Sequence, residues 1–262
     1  MSLPVTSARI ARDLRALGVR PGETLLVHSS LSALSGPRSI VVGGAIAVIE
    51  ALEAALGPAG TLVMPAFTTD YSDPATWKSP PLQGAWWDAV REGMPAWRPD
   101  RARTFGVGIV PETFRALRST RRSLHPQHSF CAAGPEAEAI VRLRTLDDPL
   151  GPDGPLGALR ARAGRVLLLG CGFGSCTAFH LAEHERPAPP PRITESAPVW
   201  LDGRRTWARW SQPAYDAASF AALGERFARE PRVRRGPVAD AAAYLFDLGE
   251  AVSFAVRVMS AG

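Results

Sequence analysis

The run "GRVLLLGCG" (164–172) constrains the chain most. A short, continuous apolar stretch bracketed by glycines reads as a buried strand. It leads directly into "SCTAFHLAEHE" (175–185), which has helical spacing and a serine at its start, so a helix capped by Ser175 is expected there. The same alternation runs through the first half. "TLLVHSS" (24–30) is a buried strand, "VVGGAIAVIEALEAALG" (41–57) a helix ending at Gly57-Pro58, and "TLVMPAF" (61–67) a strand that ends at Pro65 or lies at an edge. "GIVPETFRAL" (108–117) reads as a helix, "HSFCAAG" (128–134) as a strand and "PEAEAIVRLR" as a helix. The C-terminal part reads as a helix (215–229), the strand "AAYLFDL" (242–248) and a last helix "EAVSFAVRVM". This pattern predicts one α/β domain over 1–262 with a mixed sheet.

Two segments depart from the alternation. Residues 68–104 are rich in Pro and Trp and nearly aperiodic, with one short helix around 84–93. Loops this long inside a compact domain are usually functional, so a binding loop is expected. "VWLDGRRTWARW" (199–210) places Asp-Gly between alternating residues and predicts a β-hairpin.

Charge narrows the partners. The formal net charge is +5, but the arginines are scattered and only paired, as at Arg121–Arg122, Arg204–Arg205 and Arg234–Arg235. A small phosphate-bearing ligand therefore fits better than nucleic acid. Three cysteines argue against a disulfide framework and for a reducing cytoplasm. The N-terminus "MSLPVTSARIARDLRALG" lacks the apolar core of a signal peptide and reads as an amphipathic helix capped near Thr6 or Ser7. No apolar stretch is long enough to span a bilayer, so a cytoplasmic protein is expected.

Chemistry concentrates in "GCGFGSCTAFHLAEHERP" (170–187). On a helix, Thr177, His180 and Glu183 share a face, at the usual crevice position beyond a strand's carboxyl end. A histidine beside a carboxylate is a natural general base, and free amides at the helix start would suit an oxyanion or a phosphate. A zinc-dependent hydrolase built on Cys171, Cys176, His180 and His184 is the competing reading. "HSSLSAL" (28–34) and "VVGG" (41–44) could hold a phosphate or an amide chain through hydroxyls and backbone, without being a P-loop. "RRSLHPQHSF" (121–130) clusters two arginines and two histidines at a turn before a strand.

In order along the chain, "LLVHSSLSAL", "VVGGA", "GTLVMPAFT", "SDPATW", "MPAW", "GIVPETFR", "RSLHPQHSFCAAGPEAEAI", "LDDPLGPDGPLGAL" and "VLLLGCG…CTAFHLAE" resemble the antibiotic N-acetyltransferase family, typified by aminoglycoside 3-N-acetyltransferases. The resemblance implies a single-domain three-layer α/β/α sandwich, distinct from GNAT enzymes, with acetyl-coenzyme A as cosubstrate and no metal. It implies direct acetyl transfer to the 3-amino group of a 2-deoxystreptamine aminoglycoside by a monomer or homodimer, without nucleic acid or membrane. By position, Ser29, Ser30, Leu31, Ser32, Val42, Gly43, Gly44, Ser129 and Phe130 would line the coenzyme A site. Thr177, His180 and Glu183 would form the transfer centre, and Asp70, Tyr71, Asp73 and Asp147, with Asp148, would face the acceptor amine. Many members carry His-Asp-Ser-Asn-Thr before the catalytic histidine, where this chain has Phe173, Gly174, Ser175, Cys176 and Thr177. A tryptophan usual after the serine loop is replaced by "SGPRS" (35–39). A non-aminoglycoside amine acceptor and a non-catalytic acyl-coenzyme A-binding protein are the other readings kept open.

Overall fold

The computed structural model describes residues 4–36 and 39–260, so Pro37 and Arg38 of the "SGPRS" replacement lie outside the described residues. In chain order the elements are α1 (Ser7–Leu17), β1 (Thr24–Ser29), α2 (Leu31–Ser35), α3 (Gly44–Leu56), β2 (Thr61–Pro65), α4 (Trp87–Gly93) and α5 (Ile109–Arg115). There follow β3 (Arg121–Arg122), β4 (Phe130–Ala133), α6 (Ala137–Val141), α7 (Pro155–Arg160), β5 (Arg165–Leu169) and α8 (Phe179–Glu185). The last elements are β6 (Arg192–Leu201), β7 (Arg204–Pro213), α9 (Phe220–Phe227), β8 (Arg234–Val238), β9 (Ala241–Asp247) and α10 (Leu248–Ser260).

Seven strands form one sheet in the order β3-β4-β2-β1-β5-β9-β8. β1 pairs in parallel with both β2 and β5, and the outer strands pair antiparallel. The mixed sheet is buried on both faces because its strands alternate between two cores. Leu25, Val27, Leu62, Met64, Leu167 and Leu169 pack on one side with α1, α3 and α5. Leu26, Val63, Val166 and Leu168 pack on the other with α8, α9 and α10. This is the three-layer α/β/α sandwich expected, with period-2 burial on both faces where a one-sided sheet would show apolar and polar residues in turn.

Three sequence readings shift. The hairpin is longer than 199–210: β6 and β7 form a separate two-stranded sheet around the turn Asp202-Gly203. The strands β3 and β8 were not foreseen, because "RR" and "RRGPV" carry charge, Gly and Pro and sit at the two edges of the sheet. The expected helix over 175–185 begins only at Phe179: Phe173–Ser175 form a 3₁₀ turn, and Cys176 has ψ 88. Glycines 172 and 174 disfavour an earlier helical start.

The 68–104 segment is held down with little regular structure. Buried Trp97 donates its indole N–H to Thr68 Oγ1 at 3.0 Å, and Thr68 donates in turn to Pro126 O. Arg122 stacks on the Trp97 ring and donates to Ala66 O, Ala102 O and Ser129 Oγ. The short helix expected around 84–93 is a 3₁₀ turn, Gly84–Trp86, continuing into α4.

Candidate active site

The chain leaving β1 builds α3 against one face of the sheet, and the chain leaving β5 builds α8 against the other. The two parallel strands are neighbours, so a crevice must open between their carboxyl ends. A cleft of about 890 Å³ lies there. His28, Ser29, Ser30 and Ser32 line it from the β1 side, and Cys171, Gly174, Ser175, Thr177 and His180 from the β5 side. Phe67 and the stretch 106–109 close a third wall. Gly170 permits the close approach of the two sides. It has φ 72, and a Cβ there would fall 2.7 Å from Ala33 Cβ and 3.2 Å from Ser30 O.

At the floor, His180 Nδ1 lies 2.7 Å from Glu183 Oε2, one turn along α8. The Glu183 carboxylate also accepts the Asp216 N–H at 3.1 Å, so both its oxygens are held. His180 packs against the rings of Tyr215 and Phe220. With Nδ1 engaged by the carboxylate, Nε2 is the nitrogen left for a substrate. Thr177 does not share the helix with this pair. It sits in the turn before it, with Oγ1 3.3 Å from His28 Nε2.

The helix start does not supply the free amides expected of it. The N–H groups of Phe179, His180 and Leu181 donate to the carbonyls of Cys176, Thr177 and Ala178. The polar side chains that this turn brings to the cleft are those of Ser175 and Thr177, and Thr177 Oγ1 is the one beside His28.

All five histidines gather at the cleft, His28 and His180 lining it and His125, His128 and His184 behind them. The rings of His128, His180 and His184 each lie 5.1–5.7 Å from Tyr215, and His125 lies 5.6 Å from His128. Burial, then the nearby His180, lowers the His28 pKa to about 3. Burial also lowers His125 to about 3, where its Nδ1 accepts the N–H groups of Gln127 and His128. His128 is pushed well down by burial and by its two histidine neighbours. His28, His125 and His128 are therefore neutral at physiological pH.

The zinc arrangement does not assemble. Cys176 is fully buried in the core, its thiol pushed up to about 12 by burial, and His184 Nε2 pairs with the Tyr215 hydroxyl at 2.9 Å. Among the described residues no three His, Cys, Asp or Glu side chains are placed to share a metal ion. Cys171 does face the cleft, its thiol raised to about 11 by burial.

The predicted coenzyme A residues divide. Ser29, Ser30, Leu31, Ser32 and Gly44 line the cleft, and Ser30 and Ser32 hydroxyls lie 3.2 Å apart. Val42 and Gly43 precede α3 just outside it, and the apolar Val41 and Ile40 line the cleft in their place. Ser129 and Phe130 are turned into the fold: Ser129 donates to Ala66 O at 2.7 Å, and Phe130 packs edge-on against Phe67. Their contribution is to the wall's support.

The predicted acceptor carboxylates are outside the cleft and mostly engaged. Asp73 receives hydrogen bonds from Arg91. Burial acts to raise its pKa, but the Arg91 and Ala75 hydrogen bonds outweigh it and hold the carboxyl below its ordinary value. Asp147 accepts the Ser211 N–H, and Asp148 pairs with Arg192. Asp70 and Tyr71 are raised by burial. Glu195 on β6 was not anticipated; it receives Gln127 Nε2 at 3.3 Å and is raised by burial, and its place in a polar strand gave no signal. His28 had one, a histidine at the end of a buried strand, but it stood beside more conspicuous serines.

A sequence model of the aminoglycoside 3-N-acetyltransferase family matches residues 26–260. The chain belongs to that family. The SPbeta prophage-derived aminoglycoside N(3')-acetyltransferase-like protein YokD of Bacillus subtilis is 40% identical over 98% of this chain and 93% of its own length. The YokD crystal structure superposes with a TM-score of 0.94 over 99% of this chain and 94% of that one. Aminoglycoside N(3)-acetyltransferase VIII of Streptomyces fradiae is 37% identical over 97% of this chain and 91% of its own. The crystallised AAC-IIIb binary complex with CoASH is 27% identical, with a TM-score of 0.87 over 99% of this chain and 97% of that one. Family membership makes the chain an acyltransferase of the aminoglycoside 3-N-acetyltransferase type and accounts for the three-layer fold.

Proposed function

We propose that the protein transfers acetyl from acetyl-coenzyme A directly to an amine of an aminoglycoside, at the 3-amino group of 2-deoxystreptamine, with His180 as general base. The observation that carries this reading is the buried His180–Glu183 pair, 2.7 Å apart at the floor of a cleft large enough for a pantetheine arm and an amine. An ammonium is no nucleophile, so the reaction begins when His180 Nε2 takes its proton. Glu183 holds the imidazole in orientation and offsets the charge it gains. The free amine attacks the thioester carbonyl, and the resulting oxyanion receives the Thr177 O–H. Collapse of that intermediate breaks the C–S bond, and the second proton of the amine nitrogen passes to the departing sulfur, so that coenzyme A leaves as the thiol and the product is a neutral amide.

Ser29, Ser30, Leu31, Ser32 and Gly44 offer the thioester arm hydroxyls and backbone. The coenzyme A complex of AAC-IIIb supports this choice of donor. In this reading Asp70, Tyr71 and Asp73 of the 68–104 segment, and Asp147, meet the outer part of the acceptor, beyond the wall that Phe67 and 106–109 form. One observation favours a second acceptor class: among the described residues no Asp or Glu lines the cleft, although aminoglycosides are polycations. A thiol-release assay with acetyl-coenzyme A against aminoglycosides and simple monoamines tests both. Release that depends on an aminoglycoside is expected. Turnover of monoamines only would replace the acceptor, and binding of coenzyme A with no release from any amine would replace the activity.

A further inference from the structure

His28 and Thr177 make a polar contact between the β1 and β5 sides of the cleft floor, and it involves the transfer centre directly. His28 stands opposite Leu168 in the β1–β5 ladder, so its ring is fixed by the sheet. Thr177 lies in a turn after which the N–H groups of Phe179, His180 and Leu181 are spent on local carbonyls, and its hydroxyl faces the cleft, where it can meet developing charge. A hydroxyl has one proton, and the partner on its other side decides where that proton points.

Two arrangements satisfy the 3.3 Å contact between His28 Nε2 and Thr177 Oγ1. In one, Thr177 donates to Nε2, as a nucleophile would to its base. That arrangement needs only a neutral ring with its proton on Nδ1, and it spends the one hydroxyl proton on an imidazole that is 4% exposed. It would also turn hydroxyl lone pairs toward the acyl oxygen. In the other, neutral His28 donates Nε2–H to Oγ1, and the threonine proton is free to face the cleft.

We propose that His28 is a positioning residue: its Nε2–H donates to Thr177 Oγ1 and so directs the Thr177 O–H at the carbonyl oxygen of the bound acyl group. This rests on the reading of the cleft as an acyl-transfer site. It makes Thr177 a donor set from behind, not a nucleophile, and no covalent acyl-threonine forms. Of the two protons the amine loses, one goes to His180 and the other to the departing sulfur, and His28 keeps its own throughout.

The tautomer is directly measurable. In protein labelled with ¹⁵N-histidine, long-range proton–nitrogen spectra distinguish Nε2–H from Nδ1–H, and loss of one signal set in His28→Gln assigns the residue. The Nε2–H tautomer is expected near neutral pH; an Nδ1–H tautomer or an imidazolium overturns the proposal. Kinetics supply the second arm. His28→Leu and His28→Phe should lower kcat by roughly 100-fold, the scale of one lost oxyanion donor, with KM for acetyl-coenzyme A within about twofold. In a Thr177→Val background the same changes should cost less than about threefold, because the hydroxyl they orient is gone. His28→Gln, which keeps an N–H near Nε2, should recover most of the loss. Full multiplicative costs in the double variants would show that His28 does not act through Thr177. If both apolar variants fail to fold, the tautomer still decides. A wild-type protein inactive on every amine would remove the acyl-transfer reading and leave the tautomer result standing separately.

Discussion

The His180 imidazole and the Glu183 carboxylate lie 2.7 Å apart, one turn along α8, and both are buried. A carboxylate in that position is held in place by a second bond, from the Asp216 N–H. His180→Ala is therefore expected to lower kcat by about 10²- to 10⁴-fold. Coenzyme A binding should change by no more than about twofold, since the serine side of the cleft is untouched. Glu183→Gln should cost about tenfold to a hundredfold in kcat, as it keeps the shape and loses the charge. Steady-state thiol release with calorimetric titration of coenzyme A separates the two effects, and normal turnover in His180→Ala would rule out this base.

Neutral histidines buried at the cleft make stability sensitive to mild acid. Burial holds His28 and His125 at about 3 in the fold against 6.5 for an ordinary histidine, and pushes His128 well down too. Below about pH 6.5 the unfolded chain takes up protons that the fold refuses, so stability falls as pH drops toward 3 and is level above 7. The slope is about 1.4 kcal/mol per pH unit for each histidine. Chemical denaturation between pH 5 and 8 should show the break, and His125→Phe should reduce the slope by about one proton while lowering stability overall. A flat profile down to pH 5 would contradict neutral burial.

Phe173 and Gly224 are in contact closer than any side chain at 224 would allow. A Cβ at 224 would fall 2.0 Å from Phe173 Cβ. Phe173 opens the 3₁₀ turn that leads to Thr177, and it packs against Phe179, Phe227, Tyr244 and Phe246. Gly224→Ala should destabilise by about 1–3 kcal/mol and lower kcat as the turn shifts. Equilibrium denaturation of the variant reads the first effect, and an unchanged midpoint would mean that α9 simply moves away.

Gly174 lines the cleft, and a side chain there meets nothing within 4 Å. Gly174→Asp should fold normally and place a carboxylate in a cleft that has none among the described residues. The KM for a polycationic aminoglycoside should fall about tenfold at low salt, the gain shrinking as ionic strength rises. KM for a monoamine should move much less. Equal KM values for the variant and the wild type at low salt would mean that cleft charge does not limit acceptor binding.

Much of this was legible along the chain. The apolar runs at 24–30, 61–67 and 164–172 became β1, β2 and β5 because they are short, bounded and built round Leu, Val and Met. The i, i+3 spacing placed His180 and Glu183 on one helical face before any coordinates did. The 3₁₀ turn at 173–175 was not legible, since the pattern that marks a helix continues through it while Gly172, Gly174 and Cys176 depart from helical geometry.

What the sequence by itself determined is the alternation of buried strands and helices, and the local pairing of His180 with Glu183, because both depend on periodicity and near neighbours. Only the tertiary structure decided that His28, 149 positions from Thr177, meets its hydroxyl, and that Ser129 and Phe130 face the core. It likewise decided that Asp73 is held by Arg91. Such contacts join residues whose separation along the chain is arbitrary. They follow from which face each strand residue presents and from the switch point between β1 and β5, and a pattern of neighbours carries neither.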